Sequence, residues 1–224
     1  MRWIGASLLL SVWLLSSSVG LTAEETREPG SALPLAPATP TEEAKVEGFR
    51  SALFGMTEAQ LRQAIRKDFP AGGDKVASEL NHGEKTTVLT VQASDLIPGT
   101  GKARVSYIIG YTTKKLIQVN ITWIAEPKST AAAENLVGAA NLLRNYFLAG
   151  GYRPDTIIAN QQMPNGYVVF RGLDARSRMV ILVLTGATGT PPADAEKAPP
   201  VGLQLSYILD PEHPDVYQVP KGQF

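Results

Sequence analysis

Apolar and polar positions follow two different periods along this chain, and the changes of period divide it. From residue 57 the spacing is helical: Leu61, Ala64, Ile65 and Phe69 fall on one face. Thr57 sits where an N-cap belongs, with Gln60 three residues on as its capping-box partner, and Met56 before it can pack on Leu61 as a hydrophobic staple. Phe69-Pro70 and "AGGD" stop the helix after about three turns. The period then becomes two. The stretches "TTVLTVQA" (86–93), "ARVSYIIGY" (103–111) and "KLIQVNITWI" (115–124) are rich in β-branched and aromatic residues. In the third, Ile117, Val119, Ile121 and Trp123 alternate with Gln118, Asn120 and Thr122. One apolar and one polar face is the pattern of an antiparallel sheet covered on one side only.

The helical period returns from Thr130 to about Leu148, with Leu136, Ala140, Leu143 and Phe147 on one stripe, Val137 beside it, and Gly150-Gly151 as the stop. Three more strand patterns follow at 166–173, 178–186 and 201–209. This predicts an α+β fold: two helices packed on one face of a largely antiparallel sheet, arranged as a tandem αβββ repeat. The halves would be about 48–126 and 127–210, with an extended tail 211–224. The similar strings "VSYII" (105–109) and "LSYIL" (205–209) fall on different strands of their halves, so the repeat rests on element order.

Composition changes the picture mainly at the start. Arg2 precedes an apolar run from Trp3 to Leu15, too short for the roughly 20 residues that span a bilayer. Small residues follow, and Leu21-Thr22-Ala23 offers a signal-peptidase site, so residues 1–23 read as a signal peptide; an uncleaved membrane anchor is the alternative. Residues 24–47 hold four prolines, many alanines and six acids against two bases, the composition of a disordered linker. The remaining 48–224 then carry 18 bases and 15 acids, too mild an excess to suggest nucleic acid. With no cysteine, the chain has no lipoprotein anchor, disulfide, thiolate zinc site or cysteine nucleophile. A periplasmic or secreted protein held together by its apolar core is expected.

The string "FGMTEAQL" resembles the turn that opens the helix in the SmpA/OmlA family of small outer-membrane lipoproteins, which includes BamE, at Gly55, Met56, Thr57, Gln60 and Leu61. That resemblance implies a helix-on-sheet interaction module in an envelope assembly, with no cofactor and no catalytic residues. A tandem of such units is also the layout of the beta-lactamase inhibitor protein, again a protein-binding scaffold.

Motifs for chemistry are sparse. His82 lies in a turn before a strand, and His213 sits with Asp210, Glu212 and Asp215 in "DPEHPDVY", where two prolines extend the backbone and spread the side chains; no metal site is expected there. "PGTGKA" lacks the spacing and the following helix of a phosphate loop and reads as a hairpin turn. No Gly-x-Ser-x-Gly elbow occurs. Asp95, Asp174 and Asp210 stand at strand ends, where turn chemistry accounts for them. Arg171, Arg176 and Arg178 around "LDARS", with Lys114 and Lys115 in another turn, are the candidate contacts for an anionic partner or lipid head group. The Gly/Ala/Pro-rich loop 185–200 is longer than a hairpin requires. The expectation is a non-enzymatic interaction or assembly-accessory protein without cofactor or metal, whose partner is another envelope protein. It would meet a membrane only through an uncleaved signal or anionic surface contact. A carrier of a small apolar ligand is the first alternative, an enzyme without recognisable motif the second.

Overall fold

The computed structural model describes residues 42–73, 75–126, 129–186, 200–220 and 222–223. The expected signal peptide, most of the expected linker and nearly all of the 185–200 loop lie outside these residues. A two-strand hairpin, β1 (Gly48–Phe49) and β2 (Ala52–Leu53), leads into α1 (Glu58–Asp68). Four strands follow: β3 (Ala77–Asn81), β4 (Thr86–Ser94), β5 (Lys102–Ile109) and β6 (Leu116–Ile124). Then come α2 (Thr130–Leu148), a 3-10 turn at Pro154–Thr156, and β7 (Ile158–Met163), β8 (Gly166–Leu173), β9 (Met179–Thr185) and β10 (Gly202–Ile208). The fold is α+β, and β3 to β10 form one antiparallel sheet in the order β3-β4-β5-β6-β10-β9-β8-β7.

Each half therefore gives this sheet four strands rather than three, with one helix, and the first half adds the β1–β2 hairpin. The order mirrors itself about the junction of β6 with β10, where Ile121 faces Leu205. Turning β6 onto β10 about that pair sets Val119, Ile121 and Trp123 against Leu203, Leu205 and Tyr207, and Asn120 and Thr122 against Gln204 and Ser206. The chemical match is close, and it aligns the last strand of each half. Besides the short β1–β2 hairpin, two strands are unforeseen: "ASELN" and "IANQQM" form the sheet's edges and are exposed along most of their length. Held by backbone pairing, they carry none of the apolar alternation that marks β4, β5 and β6.

Helix α1 forms for the reasons its sequence supplies. The Gln60 N–H reaches the Thr57 hydroxyl at 3.5 Å and the Thr57 N–H donates to Gln60 Oε1 at 3.0 Å, closing the capping box. Leu61, Ala64 and Ile65 are buried in the same core against which Met56 packs. Replacing Thr57 by Ala is expected to cost about 1 kcal/mol, read as a lower urea midpoint with unchanged slope. Over the second half, Phe147 of α2 stacks on Phe170 of β8 with ring centroids 5.3 Å apart, and Tyr152 meets Phe170 edge-on at 5.2 Å. Between the helices, Phe49 of the hairpin stacks on Tyr207 of β10. Thus α1, the hairpin and α2 together cover one face of the sheet.

Both ends of the domain correct the linear reading. The linker does not run free to residue 47: Val46 is 2% exposed, and its N–H donates to Asp174 Oδ2 at 3.0 Å. The Ala44 N–H reaches Gly151 O at 3.0 Å. Nor does the tail extend into solvent from 211. The Tyr111 N–H donates to Asp215 O, the Tyr217 N–H to Glu84 O, and Tyr217 meets Tyr111 edge-on at 5.7 Å, so the tail straps the turns at one end of the first half.

Candidate interaction surface

The alternation that buries one face of the strands leaves the other uncovered. Across its middle run Thr90, Ser106, Asn120, Ser206 and Ile181, paired strand to strand from β4 to β9. Beside this row lie Gln92, Arg104, Thr122, Gln204 and Val183. The polar side chains are tied to one another: Thr90 to Ser106 at 3.3 Å, Gln118 Nε2 to Asn120 Oδ1 at 2.8 Å, and Gln204 Nε2 to Ser206 Oγ at 3.1 Å. These bonds fix amide and hydroxyl groups that free rotamers would otherwise blur; Ser206 is itself buried, and the remaining groups keep donors and acceptors open to a partner. Toward β8 the face becomes apolar, with Val168 opposite Val183 and Arg171 opposite Ile181. Lys102, Arg104 and Arg171 supply its positive charge, and none of them forms an ion pair among the described residues.

The five basic candidates do not come together. Arg171 belongs to the uncovered face, where its Nε–H points to Met179 Sδ at 3.3 Å. Arg176 and Arg178 are spent within the chain: Arg176 pairs with Glu47 at 3.2 Å, and Arg178 Nη1 donates to Val46 O at 3.1 Å. Their backbone N–H groups, with that of Val46, converge on the buried Asp174 carboxylate. This cluster is a clasp for the incoming chain, because the hairpin that carries it lies beside residues 46 and 47. Lys114, at φ 55°, lies over the Tyr111 ring at 5.2 Å, and Lys115 joins a bridge with Thr57 at the helix cap. The cap residues Met56, Thr57, Gln60 and Leu61 serve the core as described. Asp210 caps the turn after β10, accepting from the N–H groups of Glu212 and His213, and the His213 side chain is 82% exposed. Among the described residues no group of three potential metal ligands converges.

Asp215 is a feature the sequence did not disclose. Its carboxylate accepts from the Thr112 N–H (2.8 Å), the Thr113 N–H (2.8 Å) and the Thr113 hydroxyl (2.6 Å). A Cβ at Gly110 would collide with it, so a larger residue there would displace the carboxylate from Thr112 and Thr113. Partial burial pushes this carboxyl upward, but the bonds from Thr113 and Thr112 outweigh burial and hold it below the usual carboxylate range. A depressed folded-state value stabilises the strapped form above the ordinary carboxylate range and withdraws that support as pH falls through the folded value. The tail should therefore loosen in acid, at a pH below that where free aspartate titrates. Amide exchange at Tyr217 across an acid titration checks this, and Asp215→Asn should abolish the dependence.

The other shifted groups are tyrosines of the core. Burial, with a smaller contribution from Tyr146, pushes the Tyr207 hydroxyl up to about 12. Burial likewise raises Tyr107 and Tyr152. Such groups stay protonated and neutral at any physiological pH. Between the strap and the sheet lies a cavity of about 210 Å³, floored by Leu116, Ile117, Ile208 and Leu209 and rimmed by Lys115 and Asp210. Comparisons with protein-family models, curated proteins and solved structures gave no match to this chain.

Proposed function

We propose that this protein is an exported, non-enzymatic interaction module of the cell envelope that holds another envelope protein against the uncovered face of its sheet. The observation that carries the reading is that face, continuous over eight strands, with a polar centre and an apolar flank. At about 4.8 Å per strand it is about 34 Å wide. With strands of five to nine residues, its area is of the order of the roughly 800 Å² per partner that a standard interface buries. Half-buried Arg171, set among Ile158, Ile181 and Met179, is the residue type that most often anchors an interface. The non-enzymatic part is supported by where the shifted groups lie, in core packing and in the tail strap.

The resemblance of Gly55, Met56, Thr57, Gln60 and Leu61 to the SmpA/OmlA helix opening and the signal-like residues 1–23 favour a periplasmic or secreted location; an inner-membrane anchor follows if the signal stays attached. Crosslinking in the native envelope tests the proposal, with a photoreactive amino acid at Thr122 on the uncovered face and at Glu134 on the outer side of α2. A reproducible protein adduct from Thr122 and none from Glu134 is expected. Equal yields from both, or no protein adduct from Thr122, would refute it.

The cavity under the strap favours a second reading, a carrier of a small apolar ligand. Its volume is below the roughly 300 Å³ at which ligand pockets usually begin, which places this reading second. Native mass spectrometry of the purified protein decides it, since a carrier would retain a small apolar adduct.

A further inference from the structure

We propose that β3 is a docking edge for an extended strand of a second, different protein, one that brings a basic side chain to Glu79 and apolar side chains beside Leu80. The sheet ends in two edges, and they are built differently. At β7, Asn160 adopts a left-handed backbone (φ 54°) and drops out of the pairing between Ala159 and Gln161, and Arg144 of α2 donates to its side chain at 3.0 Å. A bulge guarded by a helix residue is how natural sheets blunt an edge.

Strand β3 has neither device. Its five pairs with β4, from Ala77 opposite Thr90 to Asn81 opposite Thr86, run without a break, with no proline and no left-handed residue. All five residues are exposed. One side of its backbone is satisfied by β4, and the other offers the regular row of donors and acceptors that an added strand requires.

The side chains specify the guest. Glu79 stands on the uncovered face opposite Val88, while Ser78 and Leu80 point to the helix side, where Leu80 is 52% exposed. Glu79 forms no ion pair among the described residues. A groove of about 440 Å³, floored by Val88, Thr90 and Ser106, lies beside it; Arg104 lines its other end, opposite Gln92, so a basic side chain is held at the Glu79 end. A basic residue opposite Glu79, flanked by apolar neighbours on the other face, satisfies both sides at once.

A second copy of this chain fits poorly. Full antiparallel overlap of two β3 strands sets Glu79 against Glu79, and residues 77–81 contain no base. A shifted register could oppose Glu79 to Lys75. It would overlap only three strand residues, because the Lys75 N–H is already spent on Gly72 O in the preceding turn. The added strand therefore belongs to another protein; it takes the free backbone edge of β3, and only its basic side chain reaches the margin of the uncovered face at Thr90 and Ser106.

The test uses the full chain and two short blocked peptides, Thr-Thr-Val-Lys-Val-Thr-Thr and the same sequence with Glu for Lys, followed by amide NMR shifts and amide exchange. The Lys peptide should shift and protect residues 77–81 and bind about twofold to tenfold more tightly than the Glu peptide, since a cross-strand attraction is exchanged for a like-charge repulsion. Glu79→Lys should reverse that preference and Glu79→Gln should erase it, with the rest of the spectrum unchanged because residue 79 is exposed. Leu80→Asp should weaken both peptides. Shifts centred on β7, a preference indifferent to residue 79, or no shift at millimolar peptide would overturn the proposal. So would concentration-dependent protection of β3 without peptide, which would make the guest a second copy.

Discussion

Asp174→Ala is expected to lower stability by about 3–5 kcal/mol, because the carboxylate receives three backbone N–H groups, each such charge-assisted bond being worth about 1.5–3 kcal/mol. For a domain of this size the loss corresponds to a fall in Tm of about 10 °C. The donors come from two places far apart in sequence, Val46 on the entering chain and Arg176 and Arg178 on the β8–β9 hairpin. The variant should therefore release the first residues of the domain as well as soften the hairpin. Amide exchange at Val46 should rise first. Asp174→Asn can keep an oxygen on the hairpin but turns an N–H toward that of Val46, so it should free the entering chain while costing about half as much stability. Equal protection of Val46 in all three proteins would mean that the clasp does not hold it.

Phe170→Ala should cost about 3–5 kcal/mol, as truncations of fully buried aromatics do. The ring is completely buried, stacked on Phe147 and met edge-on by Tyr152, so its removal strips α2 and the turn after it of their common contact. Phe170→Leu keeps most of the volume and should cost no more than about 1.5 kcal/mol. Urea unfolding of both variants separates these values, and a slope unchanged from the parent would show that the two halves unfold together.

The fold was legible wherever burial imposes a period. Both helices and six strands announce themselves because each lays an apolar stripe on the core, and Thr57 with Gln60 marks one boundary outright. The edge strands β3 and β7 stayed hidden because "ASELN" and "IANQQM" pair through backbone alone. The clasp was half legible: Asp174 could be placed in a turn, but its bond to Val46 joins residues 128 positions apart, which no local pattern records. For the same reason Arg176 and Arg178 looked free and are not. The tail strap rests on Asp215 and Thr113, separated by 102 positions. The polar face was visible as Gln118, Asn120 and Thr122, and the sequence match of β6 with β10 would have extended it to Gln204 and Ser206 once the strands were aligned.

The most direct test of the account uses the chain's lack of cysteine. Single cysteines at Thr122, Gln204 and Val183 report the uncovered face, and one at Glu134 reports the outer side of α2. Alkylation rates are compared between the purified protein and the native envelope. All four thiols should react readily in the purified protein. In the envelope the three on the sheet should be protected at least tenfold while that at Glu134 keeps its rate. Unchanged reactivity of the sheet positions in the envelope would show that nothing covers that face and would contradict the account.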